Sequence, residues 1–321
     1  MARKTMWLLF YAVGVLLVGT SASPGASPTA ARIVLLHHST GEVIWYGGVP
    51  EWFTAYNASH GTSHQIAERS FPEEGDNSPF DYWEIWVQHG HEGTFRGSPT
   101  LATLTAEYDV VIWKHCFPVS EIEADTGHPD VASATRTQEN YKLQYLALRD
   151  AMRTFPQTLF VVWTGAVHTQ ANLAADQALR MRDFVQWVRT VWDVPGDNIV
   201  LWDFYQLETE GGLYLRDAYA ESPSDSHPNG TFARRVAPDL GQTVVNALGV
   251  GPSPLPSAVP TPVPSATAAP SPRPSATTAP QPSTTPPQTS GGGGGGCVTG
   301  ILPWGAVLLC LPGMLLFRKN P

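Results

Sequence analysis

The chain has 321 residues, a formal net charge of −9 and only 15% charged residues, so it carries no basic surface for nucleic acid. Three cysteines, Cys116, Cys297 and Cys310, exclude a disulfide framework. More than half of the 29 prolines fall beyond residue 250. Composition therefore separates a globular part from a low-complexity part.

Residues 1–23 read as a secretory signal peptide: Met-Ala-Arg-Lys, then W-L-L-F-Y-A-V-G-V-L-L-V-G, then small residues, with cleavage near Ala22 or Ser23. An uncleaved N-terminal anchor is the alternative. The segment 32–250 has the size of one domain. It alternates short apolar strands, at 32–36, 108–113, 158–163 and 198–202, with helical patterns at 138–153, 172–192 and from 229 onward. A fifth strand is expected at 64–69. Such alternation predicts a parallel sheet of about five strands covered by helices on both faces. Ligands of such sheets sit beyond the carboxyl ends of the strands.

Residues 251–296 carry proline every two or three positions and then a glycine run, the composition of an extended, disordered stalk. Residues 297–321 hold an apolar segment of about bilayer-spanning length, closed by Arg318 and Lys319. This predicts a C-terminal hydrophobic helix with its basic end kept cytoplasmic. The Gly-run, Cys297, hydrophobic stretch and basic end resemble the tripartite C-terminal sorting tails of bacterial surface proteins, while a plain membrane anchor is equally compatible. Both place an exported domain at the cell surface, tethered to membrane or envelope and handled by export and C-terminal processing machinery.

The strand ends hold the polar residues. His37-His38-Ser39-Thr40-Gly41 follows the first strand, Lys114-His115-Cys116 follows that at 108–113, and S-P-S-D-S-H-P-N precedes the last helix. A serine hydroxyl needs a base within reach and an acid to orient that base. Ser39, His227 and Asp225 supply those groups at one edge of the expected sheet. Each also has a plain reading: Ser39 as a helix cap, His227 as a loop histidine, Asp225 as a turn residue, Lys114 and His115 as strand-end partners, Cys116 as a small buried hydrophobe. His37-His38 and His89-Gly90-His91 lack metal-site spacing, and neither metal nor cofactor is expected. Trp45, Trp52, Trp83, Trp86 and Trp113 are candidates for a sugar-stacking cleft or for core.

A serine just after the first strand and an Asp…His pair before the last helix resemble the SGNH/GDSL-type serine hydrolases, in an outlying branch where H-S-T-G replaces the G-D-S block. The resemblance covers roughly residues 32–248. It implies a flavodoxin-like three-layer α/β/α sandwich and ester hydrolysis through an acyl-enzyme. Ser39 would be nucleophile, His227 general base and Asp225 the orienting acid. The chain departs from the family in two places. Its acid lies two residues before the histidine, where the family has three. Lys114-His115-Cys116 stands where the family has G-x-N-D. Candidate oxyanion or substrate-side groups are therefore the Ser39 N–H, Thr40, Gly41, Gly75, Lys114 and His115. The expected substrate is an acyl ester, with O-acyl groups of polysaccharides or glycoconjugates favoured. The rival readings are a catalytically silent carbohydrate-binding surface module and an acyltransferase.

Overall fold

The computed structural model describes residues 29–250. The expected signal peptide, stalk and tail lie outside the described residues. Among those described, no helix is long and apolar enough to cross a membrane.

The elements run in chain order as β1 (Arg32–His37), α1 (Ser39–Trp45), α2 (Val49–His60), β2 (Gln65–Ser70), α3 (Pro79–Trp83), β3 (Thr94–Phe95), β4 (Ser98–Pro99), α4 (Leu101–Glu107) and β5 (Val110–Trp113). They continue with α5 (Gln138–Arg153), β6 (Leu159–Trp163), α6 (Ala175–Trp187), β7 (Ile199–Trp202), α7 (Phe204–Thr209), β8 (Ala220–Ser222), β9 (Asp225–Pro228) and α8 (Gly230–Val250). Five strands form one wholly parallel sheet in the order β2-β1-β5-β6-β7.

Strand side chains alternate between two apolar layers, as the two-residue period requires. Val34, Leu36, Val111, Trp113, Phe160 and Val162 face a core built with α3, α4, α5 and α6. Ile33, Leu35, Val110, Ile112, Val161 and Trp163 face the other, built with α1, α2, α7 and α8. Burial on both faces explains why these strands read as continuous apolar runs. The result is the expected three-layer α/β/α sandwich, and the strand order is the flavodoxin-like one.

Local signals set the helix ends. Ser78 and Asp81 form a reciprocal capping box on α3, and Thr137 caps α5 by accepting from Asn140 N–H. Gly61, at φ 65°, closes α2 in the left-handed region. The 172–192 helix expected from periodicity begins later, at Ala175, and its last turn, Val188–Trp192, widens to π geometry.

The tryptophans correct one expectation. Trp86 and Trp113 are buried in one core and Trp45 in the other, Trp83 is buried too, and Trp52, partly buried on α2, stacks on Tyr56. A cleft lined by these five indoles does not exist.

Candidate active site

The order of the strands decides where the site falls. From β1 the chain crosses to α1 on one face. From β5, its neighbour, the chain leaves toward α5 on the other face. Opposed crossovers open a crevice between the carboxyl ends of these two strands. Ser39 follows β1 and Cys116 follows β5, and they meet there, Ser39 Oγ lying 3.5 Å from Cys116 Sγ.

Ser39 is the first residue of α1 and is half-buried; the capping position belongs to His38. Its side chain is therefore free of the N-cap role that its sequence context allowed. His37 and His38 are strand-end anchors. His37 Nε2 lies 2.9 Å from Glu68 Oε2, and His38 bonds the Pro72 carbonyl through Nε2 at 2.6 Å and Ser70 Oγ through Nδ1 at 3.2 Å.

On the other side of the crevice, β9 pairs with β8 as a short antiparallel hairpin that packs against α1. Asp225 Oδ1 accepts from both the backbone N–H of His227, at 3.0 Å, and its Nδ1, at 2.7 Å. The two-residue spacing thus lets the carboxylate hold the ring through Nδ1, and Nε2 has no hydrogen-bond partner among the described residues. These bonds from His227 draw the Asp225 carboxyl below its ordinary range. Between the two sits Ser226, buried, with Oγ bonded to His168 Nδ1 (2.9 Å), Thr169 N–H (3.1 Å) and Asn172 Nδ2 (3.1 Å). The hairpin is pinned there to the segment after β6. The Phe117 ring is wedged edge-on between His168 and His227, at 4.7 and 4.9 Å. Ser226 and Phe117 had no sequence signal beyond their neighbours.

No hydrogen bond joins Ser39 to His227 among the described residues; the sulfur of Cys116 is the partner of Ser39 Oγ. Catalytic contacts in unliganded enzymes are often longer than in the working complex.

Lys114, Cys116 and Gly41 form the floor. Lys114 is wholly buried, with Nζ 2.9 Å from Cys116 Sγ. Burial pushes the Cys116 thiol up, but the charge and hydrogen bond of Lys114, with bonds from Ser39 and the Thr40 N–H, bring it below its ordinary value. Cys116 is buried, as its plain reading expected, and its sulfur also contacts Lys114 Nζ. A Cβ on Gly41 would stand 2.3 Å from His37 Cβ and 3.0 Å from Lys114 Cε. Gly41 is needed for contact with β1 and Lys114, where a role in substrate approach was expected.

The remaining candidates lie elsewhere. His115 is turned into the core among Tyr82, Trp113 and Tyr145, with Nδ1 2.9 Å from the Asn77 carbonyl. Its candidacy as an oxyanion donor gives way to packing. The Thr40 side chain is buried, and only its N–H serves the site. Gly75, at φ 112°, lies in the loop before α3 against the Asp81 carboxylate, where a Cβ would stand 2.4 Å from Oδ1. The link from that loop to the site is Asn77, whose Oδ1 accepts from Cys116 N–H at 2.7 Å. Among the described residues no three His, Cys, Asp or Glu side chains gather to hold a metal.

Two buried histidines make the fold acid-sensitive. Burial, then the Lys114 charge, lowers His37 from 6.5 to about 4; burial, with a smaller push from Lys114, lowers His115 from 6.5 to about 3. The short His37–Glu68 contact is accordingly a hydrogen bond from a neutral ring. The unfolded chain takes up these protons first as pH falls through 6.5. Stability is therefore full above 6.5 and drains away toward pH 4 and then 3. The His37 shift alone represents up to about 3 kcal/mol. Urea midpoints measured from pH 7.5 to 3.5 should fall steadily below 6.5; a flat profile down to pH 4 would contradict neutral burial.

No known protein family matches the chain, and no curated protein matches it. Among solved structures that are similar in part are two hydrolytic or drug-metabolizing enzymes by their names. One is a gut microbial diltiazem-metabolizing enzyme, with 11% identity and a TM-score of 0.41, covering 71% of this chain and 48% of the enzyme. The chain thus spans about half the length of that protein. The other is a psychrotrophic esterase from Pseudoalteromonas sp., inhibited by monoethylphosphonate, with 11% identity and a TM-score of 0.38, covering 68% of this chain and 98% of the esterase.

Proposed function

We propose that the protein is a serine hydrolase of acyl esters, with Ser39 as nucleophile, His227 as base and Asp225 as the acid that orients it. The observation that carries this reading is the Asp225–His227 hydrogen bond on a hairpin packed against the helix that begins at Ser39. Asp225 on Nδ1 fixes the tautomer that leaves Nε2 able to accept a proton. Ser39 Oγ leaves the Cys116 sulfur for Nε2, attacks the ester carbonyl and gives its proton to His227. His227 returns that proton to the leaving alcohol, and water then releases the acyl group through the same base. The cation of Lys114, beneath the first turn of α1, opposes negative charge building above it. Export and tethering at the cell surface are proposed on the sequence of residues 1–23 and 251–321. The substrate proposal is limited to acyl esters, because four of the five indoles that suggested a sugar platform are buried and the fifth, Trp52, stacks on Tyr56.

A fluorophosphonate probe tests the assignment: labelling at Ser39, lost in Ser39→Ala, together with turnover of short p-nitrophenyl esters, is expected. Folded protein that neither labels nor turns over would overturn it. Asp225→Asn should keep the fold and lower kcat about 10²- to 10⁴-fold, since the amide favours the wrong tautomer. Steady-state kinetics on the purified variant reads this directly, and an unchanged kcat would remove Asp225 from the mechanism.

A further inference from the structure

Lys114 is a buried cation without a carboxylate in ion-pair reach among the described residues. Its side chain is 0% exposed, and the polar atom against Nζ is the sulfur of Cys116, itself 5% exposed. Glu208 is wholly buried, and burial holds its carboxyl well above the ordinary range against the opposing pull of the Lys114 charge. The group against the Lys114 ammonium is the Cys116 sulfur, 2.9 Å away, and against the push of burial the ammonium draws that thiol below its ordinary value. Burial lowers Lys114 from its ordinary value, and Cys116 is lowered as well, so this pair gives up a proton more readily than free lysine and cysteine. The sulfur also lies 3.5 Å from Oγ of the half-buried Ser39 at the crevice.

We propose that Lys114 and Cys116 are an oxidative cross-linking site, where hydrogen peroxide drives formation of a sulfur–nitrogen bond between the two side chains. In the first step the thiolate attacks one peroxide oxygen and the O–O bond breaks. Hydroxide leaves and is protonated to water. Sulfur is oxidised by two electrons to the sulfenic acid, S–OH, and peroxide is reduced. This removes the counter-charge of Lys114. An unpaired ammonium is costly at a fully buried position, so Lys114 releases a proton and becomes a nucleophilic amine. In the second step Nζ attacks the sulfur, the S–O bond breaks, and the hydroxyl leaves as a second water. The sum is Lys–NH₃⁺ + Cys–S⁻ + H₂O₂ → Lys–NH–S–Cys + 2 H₂O. Sulfenic acids condense with a backbone nitrogen to give a sulfenamide, and the same bond is formed here by a side-chain amine. Here the nitrogen already touches the sulfur, which favours ring closure over further oxidation.

The cross-link is independent of the hydrolase reading, because it is seen by mass and not by turnover. The full chain is treated with hydrogen peroxide, free thiols are alkylated, and the protein is digested with trypsin. Free Lys114 is a cleavage site; as a sulfenamide it is not. The expected result is loss of cleavage at Lys114 and an intact peptide 97–136 two hydrogens lighter than its reduced form, with dithiothreitol restoring both cleavage and mass. Cys297 and Cys310 fall in other peptides, so their oxidation is read separately. Cys116→Ala should abolish the uncleaved species; if that variant does not fold, the dithiothreitol reversal in the native chain decides. Cys116 carrying added oxygen beside a cleavable Lys114, a reduced Cys116 after Cys297 and Cys310 have oxidised, or a bridge that retains oxygen would each overturn the proposal.

Discussion

Ser39→Ala should lower the turnover of small acyl esters on the order of 10⁴-fold or more. The same change should leave the unfolding midpoint almost untouched. Both expectations follow from the position of Ser39. Its hydroxyl is half-buried, caps no helix and has as partner one sulfur at 3.5 Å, a weak hydrogen bond. Its loss should cost about 0.5 kcal/mol or less, within the range of ordinary partly exposed substitutions. The joint measurement is a rate assay and a urea titration on one preparation. Stability retained with activity lost marks a chemical role. Turnover within a few-fold of the parent would remove Ser39 as nucleophile.

The opposite pattern is expected of Gly41→Ala. A methyl group there would stand 2.3 Å from His37 Cβ and 3.0 Å from Lys114 Cε. Lys114 can bend a little, but His37 sits on β1, bonded to Glu68 and held in the sheet register. The helix must lift, at a cost of about 3 kcal/mol, the upper range for overpacked cores. That lift also moves Ser39, two residues earlier, so turnover falls together with stability. Urea midpoints and kcat/KM on the same variant test this; an unchanged midpoint would show that α1 floats freely over β1.

Much of the fold was legible because its signals are local. The buried strands announced themselves as β-branched runs, and α8 through the spacing of Phe232, Val236, Leu240 and Val244, all now in one core. Asp225 and His227 were also legible as a unit, since two residues in an extended hairpin keep side chains close enough to bond. Cys116 was legible only in part: its burial was expected, its contact with Lys114 was not. Its sequence neighbours Lys114 and His115 look alike as strand-end polar residues, yet alternate residues of an extended segment point opposite ways. Lys114 and Cys116 therefore join the site, and His115 enters the aromatic core. Nothing in the local pattern says which parity faces the crevice.

The sequence by itself determined the five parallel strands and the helices at 138–153, 172–192 and from 229 onward, because periodicity acts over a few positions. Tertiary structure alone decided that β1 and β5 are neighbours, and so that Ser39 meets a sulfur polarised by a buried lysine. It also decided that Trp45, Trp83, Trp86 and Trp113 turn inward. Strand order is set by where the crossovers pack, a balance of burial over the whole sheet that no short stretch encodes.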